Sequence, residues 1–72
     1  MEDGNILNEI RRLRFESGEM TQQELADKVG VTRQTINAIE AAKYSPSLEL
    51  AFKISRAFDK PIGEVFKYEL TD

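Results

Sequence analysis

The sequence contains neither cysteine nor histidine. No disulfide can close a loop, and the usual zinc ligands and the commonest general base are missing, which leaves carboxylates, Ser, Thr, Lys and Tyr for chemistry. Neither an enzyme nor a metal centre is expected, and the residues suggest no cofactor. No apolar run approaches the about 20 residues of a membrane span. The start, Met1-Glu2-Asp3, lacks the basic region of a signal peptide and the Arg-rich character of a transit peptide. The cytoplasm is therefore the expected address. An excess of positive charge is absent too: 10 basic and 13 acidic residues give a net charge of −3. Nucleic-acid binders often carry the opposite balance. Screening nevertheless confines phosphate attraction to about 8 Å at physiological salt, so basic residues need only cluster on one face.

The chain has 72 residues, room for one domain and one modest core, since a chain of this size buries only about 60% of its unfolded surface. With no disulfide to add stability, a partner subunit is a plausible source of it. Ile6, Ile10 and Leu13, with Leu7 beside them, recur at helical spacing behind Asn5, predicting a first helix over residues 6–17 that ends at Gly18. Thr21 stands three residues before Glu24, the spacing at which hydroxyl and carboxylate reciprocally satisfy backbone donors, and predicts a second helix over residues 22–29. Gly30 permits a sharp turn, and Thr32 can cap a third helix over residues 33–41. Ser47 caps a fourth, Leu48 to Phe58, whose apolar residues cover more than one stripe. Pro61 opens a short fifth helix through Phe66, and Lys67 to Leu70 alternates in a strand-like way. The predicted architecture is all-α, five helices with a short extended tail.

Residues 22–41 form the informative unit. Two helices crossing steeply through a three- or four-residue turn need a small residue at the crossing, which Ala26 supplies, and Gly30 makes the turn. Leu25, Val29, Val31, Ile36 and Ile39 fall where such a pair faces a core; any amphipathic helix pair joined by glycine would share part of this pattern. The other face of the third helix distinguishes it. Thr32, Arg33, Gln34, Asn37 and Ala38 concentrate amide and guanidinium donors there, with no carboxylate before Glu40. Arginine bonds guanine O6 and N7, Gln or Asn bonds adenine N6 and N7, and an alanine methyl meets a thymine methyl. A merely solvated face usually carries Glu and Lys pairs instead.

Met20 to Ala26, Gly30 to Ile36, Ile39-Glu40 and Lys43 to Leu50 together resemble the Cro/C1-type (Xre) helix-turn-helix regulators, over about residues 6–66. The resemblance is to the minimal, single-domain subgroup, and implies a lambda-repressor-like fold and a dimeric operator-binding repressor. It further implies that Arg33, Gln34, Asn37 and Ala38 meet base edges in the major groove, while Gln22, Thr32, Lys43 and Tyr44 hold phosphates. Arg14 would pair with Glu40 as a structural brace. Arg11 and Arg12 remain phosphate ligands or solvated side chains. Two departures stand out. Gly18-Glu19-Met20-Thr21 is one residue longer than the usual junction, which predicts a bulge in the loop. Ala41-Ala42 replaces the family's Asn-Gly exit, where alanine costs strain of about 1 kcal/mol.

The C-terminal region at about residues 52–70 holds more apolar side chains than one small core needs, namely Phe52, Ile62, Val65, Phe66, Tyr68 and Leu70. A homodimer interface is one reading and packing within the chain the other. A two-fold dimer would require an inverted-repeat operator in double-stranded DNA. The competing function is a protein-interaction adaptor or an antitoxin on the same fold, which the acidic balance favours.

Overall fold

The computed structural model describes residues 3–71, so Met1 and Glu2 of the acidic start lie outside the described residues. The elements run β1 (Asp3–Asn8), α1 (Ile10–Glu16), α2 (Gln22–Val29), α3 (Arg33–Glu40), α4 (Leu48–Ala57), α5 (Ile62–Val65) and β2 (Phe66–Thr71). Among the described residues, five helices surround one core of Ile10, Leu13, Leu25, Ala26, Val29, Ile36, Ile39, Ile54, Phe58 and Val65. Among the described residues no helix is long and apolar enough to cross a membrane.

The expectation of an all-α chain is corrected by a two-stranded sheet, to which the extended tail contributes one strand as its alternation suggested and the start of the chain contributes the other, unexpected one. β1 pairs with β2 in an antiparallel ribbon, with Ile6 opposite Tyr68 and Asn8 opposite Phe66. Ile6 and Leu7 therefore belong to a strand, and α1 starts only at Ile10. Asn8, not Asn5, marks the entry: its Oδ1 accepts from the Ile10 N–H at 3.1 Å. The same side chain donates from Nδ2 to the Ile39 carbonyl at 2.8 Å, tying the ribbon to the end of α3.

The central helices follow their local signals. Thr21 and Glu24 form a complete capping box at α2, and Gly30 closes that helix at φ 79°. Thr32 caps α3 by accepting from the Thr35 N–H, and Ser47 caps α4 through Leu50. Ser55, buried on α4, donates to the Ala51 carbonyl at 2.9 Å, so its hydroxyl is satisfied. α5 is shorter than the sequence suggests, because Phe66 turns to extended backbone and begins β2.

Both unusual junctions resolve through positive φ. Gly18 at 77° and Glu19 at 60° absorb the additional residue before α2. At the exit of α3, Ala42 adopts φ 59° despite its Cβ. Its N–H bonds the Ile39 carbonyl at 3.0 Å, and that of Lys43 bonds the Ala38 carbonyl at 2.9 Å. This is a Schellman closure made with alanine in the position that favours glycine. Ala42→Gly is accordingly expected to stabilise the fold by about 1 kcal/mol, since it relieves the Cβ clash and offsets the added freedom of the unfolded chain. A thermal melt should rise by about 4–8 °C; an unchanged or lower midpoint would mean that the alanine is unstrained.

Candidate nucleic-acid interface

α3 is amphipathic in a way that divides its residues by task. Ile36 and Ile39 are fully or almost fully buried, whereas Arg33, Gln34 and Asn37 are exposed and Ala38 is half-buried. Arg33 makes no ion pair among the described residues. Ala26 and Leu25, both at 0% exposure, seat α2 against the apolar side of α3. This fixes which side of α3 faces outward.

Thr32 is occupied as a cap, its Oγ1 also lying 3.0 Å from that of Thr35. At such a helix start, the backbone N–H groups of the first turn have no intrahelical acceptor and favour an anion. Lys43 and Tyr44 are exposed in the loop after α3, where the Schellman closure sets the direction of the chain. The Tyr44 ring, 51% exposed, does not cover the core.

Behind this surface lies a polar network. Arg14 donates to Glu40 through Nε at 2.6 Å and a terminal nitrogen at 3.1 Å, with the two side chains only 16% and 10% exposed. Its other terminal nitrogen donates to the Met20 carbonyl at 2.8 Å. One guanidinium thus links the end of α3 to the loop before α2. Gln22 joins in, donating from Nε2 to Glu40 Oε1 at 3.3 Å and to Asn37 Oδ1 at 3.2 Å. The sequence suggested separate tasks for Gln22 and Asn37; the structure brings the two amides together. Asn37 Oδ1 is already an acceptor here, which leaves its Nδ2 to donate outward.

The two arginines left open by the sequence differ. Arg12 lies between Glu9 and Glu16, with contacts of 3.1 Å to each, and the hydrogen bond to Glu9, then that to Glu16, raises its pKa above the ordinary value. Arg11 instead lines a shallow depression with Arg14, Gln22, Asn37 and Glu40. It therefore stands beside the exposed side of α3, whereas Arg12 is engaged by carboxylates.

The C-terminal apolar set also separates. Val65 is 0% exposed and belongs to the chain's own core, so its assignment to an interface is corrected. Phe66 packs against that core and Ile62 is half-buried. Phe52, Tyr68 and Leu70 remain exposed at 49%, 63% and 55%. Sequence reasoning missed Phe15, which is 70% exposed; Leu48, one of the apolar residues covering more than one stripe of the fourth helix, is 70% exposed as well and stands four residues before Phe52 on α4.

The family described as helix-turn-helix matches residues 10–65, from the start of α1 to the end of α5. The chain belongs to the Cro/C1-type helix-turn-helix family. In this helix-turn-helix chain, α2 and α3 with the turn at Gly30 are the motif itself. It is 59% identical over 58 residues to an HTH-type transcriptional regulator of Methanothermobacter thermautotrophicus, covering 79% of this chain and 83% of that protein. An HTH-type transcriptional regulator of Methanocaldococcus jannaschii is 58% identical over 50 residues, or 69% and 76% of the two chains. The cryptic phage CTXphi transcriptional repressor RstR of Vibrio cholerae is 36% identical over 58 residues, 81% of this chain but 51% of the repressor. A crystal structure from Bacteroides fragilis, of a protein described as DNA-binding, superposes with a TM-score of 0.76 at 24% identity, covering 86% and 98% of the two chains. At that identity the likeness concerns the fold alone.

Proposed function

We propose that this chain is a transcriptional repressor that binds an inverted-repeat operator as a homodimer, with α3 in the major groove of each half-site. The observation that carries this reading is the division of α3, with Ile36 and Ile39 buried while Arg33, Gln34 and Asn37 are exposed on its other side. Arg33, Gln34 and Asn37 read base edges, and Ala38 meets a thymine methyl. Lys43 and Tyr44, together with the first-turn N–H groups at Gln22 and Thr32, hold phosphates. Arg11, at the rim of the same surface, joins them. No cofactor enters this mechanism. The phage repressor among the relatives supports repression.

Dimerisation is supported by Phe52, Tyr68 and Leu70, which the protomer's core leaves exposed. Two copies must set their α3 helices about 34 Å apart, one turn of DNA. The C-terminal region at about residues 52–70 is then the dimerisation region of a single domain. Against this stands an adaptor or antitoxin using the same surfaces for protein contacts, which the net charge of −3 favours.

Binding to duplex DNA across a salt series separates the two. A phosphate-holding surface loses affinity linearly in the logarithm of salt. Lys43→Ala should weaken binding to all sequences alike and reduce the magnitude of that slope by about one. Binding that ignores salt, or a slope unchanged in Lys43→Ala, would remove Lys43 from the phosphate surface.

A further inference from the structure

The ribbon has an unused edge. Among the described residues the sheet contains only β1 and β2, so the outer side of β2 carries backbone N–H and C=O groups with no neighbouring strand. Along β2, Phe66, Tyr68 and Leu70 alternate with Lys67 and Glu69, and the alternation puts the first three on one face with Ile6 and the other two on the opposite face. The inner end of the apolar face is seated, because Phe66 packs against the helical core. Its outer end is not: Tyr68 and Leu70 are 63% and 55% exposed. Tyr68 also lies against Gly4, where an added Cβ would meet the ring, so the tyrosine is held flat across the ribbon.

We propose that this edge of β2 pairs antiparallel with the same edge of a second copy, about a two-fold axis at Tyr68, giving a four-stranded sheet across the dimer. The proposal rests on the homodimer reading above and specifies where the two copies join. Charge decides the register. An axis at Tyr68 sets Lys67 opposite the partner's Glu69 and Glu69 opposite the partner's Lys67, two opposite-charge pairs on one face. On the other face Phe66 meets the partner's Leu70, twice, and the backbone of Tyr68 faces that of its counterpart while each ring lies back over Gly4. Each exposed Leu70 thereby lands beside a Phe66 that is already seated on a core. Moving the axis to residue 67 or 69 would instead oppose Lys67 to itself or Glu69 to itself. The β1 edge offers no equivalent, since an axis at Ile6 opposes Asn5 to Leu7.

The test is sedimentation at low ionic strength of the unaltered chain, of Lys67→Glu, of Glu69→Lys, and of an equimolar mixture of the two variants. Each variant alone opposes like charges at both positions and should self-associate about tenfold more weakly. The mixture should recover dimers, because a mixed pair again opposes opposite charges. Recovery also shows that the variants fold, as a misfolded chain would not be rescued by its counterpart. Dimers of undiminished strength in both variants, with no preference for the mixed species, would overturn the edge pairing and leave the homodimer standing. An unaltered chain that stays monomeric at micromolar concentration would overturn both.

Discussion

Arg14→Met is expected to cost about 3 kcal/mol of folding stability, and Arg14→Met combined with Glu40→Leu to recover most of it. The Glu40 carboxylate is 10% exposed and both its oxygens are engaged by Arg14. Without the guanidinium it keeps a single amide donor, Gln22, at 3.3 Å, which does not compensate a charge removed from water. Arg14 also holds the Met20 carbonyl, so its loss loosens the loop that leads into α2. Removing both charges together leaves no orphaned ion, and apolar replacements of similar volume fill the space. Urea denaturation of the two variants checks this. A loss below about 1 kcal/mol in the single variant would place the pair with ordinary surface ion pairs. The expected effect on DNA is general, because a misplaced α3 weakens binding to every sequence without changing which bases are preferred.

Arg33→Ala should behave in the opposite way. The side chain is exposed and unpaired among the described residues, so stability should change by less than about 0.5 kcal/mol. Operator affinity should fall by about 1–3 kcal/mol, roughly fivefold to more than a hundredfold, and preference should relax at one base position in each half-site. Competition binding against operator variants substituted at single positions measures both. An affinity loss spread evenly over all sequences would make Arg33 a phosphate ligand, and no loss would remove it from the interface. Comparing Arg14→Met with Arg33→Ala therefore separates positioning of α3 from reading by α3.

What could be read from the sequence was local. The capping box of Thr21 and Glu24, the cap at Thr32 and the turn at Gly30 each depend on residues within one or two helical turns, and each appears in place. The buried set of Leu25, Ala26, Val29, Ile36 and Ile39 follows from the same short-range periodicity. β1 was hidden because Ile6, Ile10 and Leu13 satisfy helical spacing equally well, while the strand's partner lies at the far end of the chain. Val65 illustrates the same limit: its neighbours suggested an outward surface, but the turn from α5 into β2 carries it into the core. The hydrogen bond between Gln22 and Asn37 depends on the angle at which α2 and α3 cross, which composition does not specify. Ala42 taught the converse lesson, since the chain closes α3 as a glycine would and accepts the strain.

The central claim is that the outward side of α3 reads DNA sequence in two symmetric half-sites. Selection of bound duplexes from a random pool by the full chain tests it most directly. The account predicts enrichment of an inverted repeat whose half-site centres lie about one helical turn apart, 10 to 10.5 base pairs. Recovery of a pool with no enriched sequence would contradict it.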